Sequence, residues 1–160
     1  MRQFSIIFFL FFGLSAMGQK YAAVDKSPLD LITYKKGGEV QVKVWYGRPS
    51  KNGRQVFDKL VKYDKVWRTG ANENTEIAFL QDVKINGQIV KAGTYSLFTI
   101  PNKEEWTIII NSDTDKWGHF FYKEKNDVIR LKVKTESTKE TIETFSMTFD
   151  KAKYGTDLFM

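Results

Sequence analysis

Apolar and polar residues alternate with the period of a half-buried strand along much of the chain. Val40, Val42, Val44 and Tyr46 interleave with Gln41, Lys43 and Trp45, so one face of that segment predicts a buried strand face. Ile129, Leu131 and Val133 repeat the pattern, as do Phe145, Met147 and Phe149, and Leu29 to Tyr34 and the stretch beginning Ile77–Phe79 read as further strands. Val83 to Val90 predicts a hairpin, because Asn86–Gly87 at its centre accepts the positive φ angles of a type I′ turn. Lys36–Gly37–Gly38–Glu39 and Ala92–Gly93 predict turns, Thr94 to Ile100 a strand stopped at Pro101, and Trp106 to Ile110, almost wholly apolar, a central strand. Val66 to Thr69 reads as a brief strand. The spacing of Val56, Phe57, Leu60 and Val61 suits one short helical turn. No segment sustains a helical period. The expectation is an all-β fold, an antiparallel β-sandwich with one short helical turn, forming a single domain over residues 27–160.

The first residues change that picture. Arg2, the apolar run Phe4 to Leu14 and the small residues of Ala16–Met17–Gly18 have the layout of a signal peptide over residues 1–18. Residues 19–26 then read as a flexible N-terminal arm. An exported chain is expected, in the periplasm or outside the cell, with no transmembrane segment after cleavage. About 140 residues remain for one core, and with no cysteine in the chain that core holds by packing alone. The formal net charge is +6, but the lysines are spread over nearly every segment. That spread suits solvated strand faces and attraction to an anionic cell surface, and it argues against a nucleic-acid footprint. One histidine and no cysteine exclude an ordinary structural zinc site. Asn111, Asp113 and Asp115 open like a calcium loop, but Lys116 and Tyr122 stand where glycine and the closing glutamate belong. No metal and no cofactor is expected.

Residues with few physical substitutes concentrate between Val44 and Asn74. Arg48, Arg54 and Arg68 can converge on a carboxylate or phosphate through paired hydrogen bonds, with Trp45 or Trp67 as a stacking wall. The same arginines can equally bind loop carbonyls and hold irregular backbone that lacks sheet partners. Asn72, Glu73 and Asn74 form a polar cluster in which Glu73 can act as a base or hold a sugar hydroxyl, with His119 as its only available imidazole partner. Trp106, Trp117, Phe120, Phe121 and Tyr122 either line a groove or fill the core, with Trp117 beside Gly118 the best candidate for exposure. No nucleophile elbow or triad is present in the sequence.

The motifs Y-G-R-P-S-x-x-G-R at Tyr46 to Arg54, V-W-R-T-G-A-N-E at Val66 to Glu73, A-G-T-Y-S-L-F-T-I-P at Ala92 to Pro101, E-W-T-I-I-I-N at Glu105 to Asn111 and W-G at Trp117–Gly118 occur in order. Together they resemble a family of secreted bacterial proteins known as domain-of-unknown-function family 2911. The resemblance spans roughly residues 27 to 150 and implies an exported, mostly β domain, with no activity, ligand or catalytic residue attached. Members of that family usually continue through a tryptophan-containing strand to a valine-proline segment. Against that pattern the C-terminus here, ending Leu158–Phe159–Met160, reads as shortened, which implies a missing last strand and an exposed sheet edge. A looser resemblance links Ala92–Gly93–Thr94–Tyr95 to transthyretin-like and carbohydrate-associated sandwich modules.

The leading expectation is therefore a non-catalytic binding module for a small anionic or glycan ligand. Its site would lie between the Arg48–Arg54 loop and the Trp67–Asn74 loop, using Arg48, Arg54, Trp67, Arg68, Asn72, Glu73 and Asn74. The alternatives are a hydrolase using Glu73 with His119 or an arginine-stabilised oxyanion, and a structural cell-envelope protein without a small-molecule site.

Overall fold

The computed structural model describes residues 20–160; the expected signal peptide lies outside the described residues. The alternating segments become one antiparallel sheet of six strands: β1 (Leu29–Lys36), β2 (Glu39–Gly47), β3 (Glu76–Phe79), β6 (Gly93–Ile100), β7 (Glu105–Asn111) and β8 (Asp127–Lys134). They lie in the order β1-β2-β3-β6-β7-β8. Register carries the period-two pattern across the sheet. Ile32 faces Val44, Val44 faces Ile77, Ile77 faces Tyr95, Leu97 faces Ile110, and Ile110 faces Ile129. One face is thereby apolar from edge to edge.

Two hairpins form the opposing layer. β4 (Val83–Ile85) and β5 (Gln88–Val90) turn at Asn86–Gly87, both with positive φ as the type I′ reading requires. They set Val83, Ile85 and Val90 on the apolar face. β9 (Thr148–Lys151) and β10 (Thr156–Phe159) add Phe149 and Leu158, with Phe145 and Met147 packed alongside. The result is an antiparallel β-sandwich. The apolar tail is a strand: Leu158 pairs with Phe149 and packs on the core.

Tyr46 ties the layers together. It is buried at the end of β2, and its hydroxyl accepts the Met147 N–H at 2.9 Å and donates to Asp30 Oδ2 at 3.3 Å.

Two local readings differ from the structure. Val56 to Val61 is not a helix. The Leu60 and Val61 N–H groups both reach the Val56 carbonyl, but Asp58 is left-handed (φ 66°) and Phe57 bridges Val61, so the turn closes on itself. The one helical turn among the described residues is a 3-10 turn at Glu124–Asn126. Val66 to Thr69 makes a single bridge, Trp67 to Thr99, rather than a strand. Among the described residues no helix is long and apolar enough to cross a membrane.

Candidate functional site

On the second face of the sheet Glu76, Ser96 and Asn111 stand side by side as a buried polar row, and two loops meet over it. The first loop is a detour in the β3 path. Trp67 and Thr99 exchange both backbone hydrogen bonds (2.7 and 3.0 Å), and the path rejoins β6 where Leu97 N–H donates to Thr75 O at 2.8 Å. Residues 68–74 between these points leave the ladder. A bond from Thr75 N–H to Arg68 O closes the neck, and the Thr75 hydroxyl donates to Thr69 O at 2.7 Å. Thr69 is wholly buried with φ at 59°, a left-handed conformation that a β-branched residue adopts only under surrounding constraint. Its hydroxyl donates to Thr99 Oγ1 at 3.1 Å, which supplies part of that constraint. The detour also lies against β2: Ala71 N–H donates to Gly47 O, and a methyl group on Gly47 would overlap the Ala71 carbonyl.

The second loop runs from Asn111 to Asn126, and buried side chains pin it. Asn74 accepts the Lys116 N–H on Oδ1 at 2.8 Å and donates from Nδ2 to Ser96 Oγ, which in turn donates to Asp113 O. Glu76 Oε1 accepts the Asp115 N–H at 2.6 Å. Asn111, fully buried, accepts the Asp113 N–H and donates to Lys123 O and Asp127 Oδ1. Glu73 bridges Trp117, and Gly118 N–H donates to Asn72 O at 3.1 Å, so the two loops are laced together.

Arg68 and His119 sit at that junction. Arg68 Nη1 donates to Asn72 O at 2.6 Å, and among the described residues no carboxylate lies within ion-pair distance of the guanidinium. Burial lowers its pKa from the ordinary arginine value. The His119 pKa is also lowered, first by burial and then by the charge of Arg68, which holds the imidazole neutral near neutral pH. Its Nδ1 is buried without a hydrogen-bond partner. Phe120 stacks on the imidazole at 5.1 Å, and Trp117 and Phe120 are 54% and 68% exposed around it.

The other residues singled out in the sequence lie elsewhere or are already engaged. Arg48 donates to Phe145 O, Asp30 Oδ2 and Ser146 Oγ, at 3.2, 3.0 and 2.9 Å. Arg54 folds over its own turn, donating to Lys51 O and Ser50 O. Their loop engages residues 143–145 through Lys51 N–H to Glu143 O and Phe145 N–H to Pro49 O, whereas Arg68 faces residues 72 and 118–119. The three arginines therefore share no common partner.

Trp67 packs edge-on against Trp106 and Phe145, a wall of the core rather than of a cleft. Asn74 is buried and committed to the loop network, while Asn72 holds Asp25 and the Ser27 carbonyl through its amide. The Glu73 side chain is exposed, and no hydrogen bond joins it to His119. Tyr122 tucks inward against Phe98, and its hydroxyl donates to Asp127 Oδ2 at 2.7 Å. An open groove of about 450 Å³ lined by Asn86, Gln88, Thr107, Arg130, Leu131 and Lys132 includes none of these residues. Among the described residues no group of three His, Asp or Glu side chains can hold a metal ion.

The pairing of His119 with Arg68, rather than with Glu73, has no signal in sequence spacing. The buried Glu76 carried none either, since a glutamate at the head of an apolar strand reads as its solvent end.

A family model described as "Protein of unknown function (DUF2911)" matches residues 27–160. No curated protein and no solved structure matches the chain.

Proposed function

The chain belongs to the DUF2911 family of proteins of unknown function, and we propose that it is an exported, non-catalytic binding module. Its site is the Arg68–His119 corner, and its ligand carries a carboxylate or phosphate. One observation supports this reading above the rest: a half-buried guanidinium whose hydrogen bond goes to a carbonyl, with no carboxylate within ion-pair distance. Removing a cation from water costs free energy that an acidic partner ordinarily offsets. Arginine presents its donors in a planar fork that fits a two-oxygen anion, so an anionic ligand supplies the missing partner. An anion beside Arg68 also reverses the repulsion that His119 feels, so the imidazole takes up a proton as the ligand arrives. Trp117 and Phe120 offer flat faces at the same corner for an apolar or sugar portion of the ligand.

The hydrolase reading lacks such support, because no hydrogen bond couples Glu73 to His119 and the cation felt by the imidazole is Arg68. Export rests on the N-terminal pattern of residues 1–18.

The test is a calorimetric titration with sugar acids, dicarboxylates and inorganic phosphate, following a thermal-shift survey of the same compounds. A ligand is expected to bind more tightly as pH falls through the ordinary imidazole value of 6.5, with proton uptake on binding. Arg68→Gln is expected to abolish binding while the variant keeps its β-sheet circular dichroism. No binding across the three classes, or unchanged binding by Arg68→Gln, would overturn the reading.

A further inference from the structure

Phe120 does not simply point into water from its turn. Tyr122 N–H donates to His119 O at 3.2 Å, so residues 120 and 121 are the two corners of that turn, where side chains ordinarily project into solvent. The Phe120 ring instead folds back along its own chain and lies on the His119 imidazole, with ring centres 5.1 Å apart and planes inclined by 22°. Its outer side is open, since the residue is 68% exposed.

Gly118 makes room for this arrangement. It is buried and left-handed at φ 67°, and it sits where the Phe120 ring and the Arg68 guanidinium meet. A methyl group on Gly118 would lie 3.1 Å from Phe120 Cε2 and 3.3 Å from Arg68 Nη1. Any side chain there would push against the ring and the guanidinium together, besides straining the backbone. The ring therefore borders both groups of the corner, the imidazole by stacking and the guanidinium across Gly118.

The folded-back position is held weakly. One stacked aromatic pair favours it by only about two- to tenfold. That position also leaves His119 Nδ1 buried without a hydrogen-bond partner, a cost that an arriving oxygen would relieve. Turning an exposed side chain from one staggered rotamer to another needs no backbone movement and is fast on the scale of ligand binding.

We propose that Phe120 is a shutter on the Arg68–His119 corner: its ring covers the imidazole while the corner is empty and turns outward to admit the anion. The inference rests on the anion-binding reading of that corner and adds how access to it is controlled. An anion binds only the open fraction, so its apparent affinity falls by the factor that favours the closed ring. A ligand with an apolar portion recovers the lost stack by packing on the outward ring, whereas a bare anion does not. The shutter thereby discriminates against small inorganic and aliphatic anions.

His119 is the only histidine in the chain, so its imidazole proton resonances are read without ambiguity. A stacked phenyl ring shields those protons and moves their signals upfield. Wild type, Phe120→Ala and Arg68→Gln are titrated with inorganic phosphate, acetate and benzoate. The wild-type signals are expected upfield of those in Phe120→Ala and should move towards the variant's positions on saturation with any of the three. Phe120→Ala is expected to bind phosphate and acetate about two- to tenfold more tightly than wild type, with a smaller gain for benzoate. Arg68→Gln should bind none of them, which marks the corner as the site. Equal or weaker binding of phosphate and acetate by Phe120→Ala overturns the shutter and leaves the anion site standing. So do wild-type signals that stay shielded at saturation. A gain as large for benzoate as for acetate overturns the discrimination. If neither wild type nor Phe120→Ala binds any of the three, the anion reading fails and the shutter fails with it.

Discussion

Arg48→Ala separates a structural arginine from a binding one. Its guanidinium links β2 to the segment before β9 through the Phe145 carbonyl and the Ser146 hydroxyl, and links β2 to β1 through Asp30. The first two bonds are each worth about 1 kcal/mol. The ion pair contributes less, about 0.5 kcal/mol, because its side chains are 39% and 33% exposed and screened by water. Truncation should therefore cost about 2 to 3 kcal/mol, which for a domain of this size lowers Tm by roughly 7 to 10 °C. Arg54→Ala provides the internal control. Its bonds run to Ser50 and Lys51 within its own exposed turn, so its Tm should stay near wild type. Differential scanning calorimetry of the three proteins measures this directly. If Arg48→Ala melts like Arg54→Ala but loses ligand binding, the structural account of Arg48 is wrong and the expected convergence of arginines must be reconsidered.

Tyr46→Phe removes the acceptor of the buried Met147 N–H and should cost about 1 to 3 kcal/mol, read as a lower denaturation midpoint in urea. Gly47→Ala forces β2 and the Ala71 backbone apart, at roughly 1 to 3 kcal/mol, and should raise amide exchange across residues 68–74. His119 is held neutral in the folded state, with its pKa lowered by burial and by Arg68, so stability should be full above its ordinary value of 6.5. Stability should then fall as pH drops below 6.5 toward the lowered folded value, because the unfolded chain takes up a proton that the folded chain refuses. His119→Gln should flatten that slope above the carboxylate range, and an unchanged slope in urea titrations would refute the assignment.

Strand identity was legible wherever side-chain alternation met a solvent face. Val42, Val44 and Tyr46 are buried as their spacing requires, and Asn86–Gly87 turns its hairpin as its φ preferences require. The Val56–Val61 turn was misread because spacing alone cannot register a left-handed Asp58, nor the stacking of Phe57 on Tyr63 and its edge contact with Trp106 that draws the segment to the core. The candidate site was only half legible. Arg48, Arg54 and Arg68 are close in sequence but part company in the fold: Arg48 meets Phe145 and Ser146 far along the chain, Arg54 stays on its own turn, and Arg68 faces Asn72 and the Gly118–His119 segment. Local pattern has no access to such pairings. The aromatic run at Trp117–Tyr122 was visible as composition, but its division into an inward Tyr122 and an outward Phe120–Phe121 tip depends on one turn hydrogen bond and on Asp127.

The detour at residues 68–74 has a consequence for how such a protein can vary. Because β6 sets the register on both sides, at Thr99 before the detour and at Leu97 after it, the sheet does not dictate how many residues the excursion contains. Lengthening, trimming or rewriting the excursion leaves the inter-strand alignment untouched, provided its neck at Arg68 and Thr75 still closes. The part of the molecule that carries Arg68 is thus a cassette spliced into an otherwise continuous rung of the scaffold. The side chains it displays can change there while the sandwich beneath it stays the same.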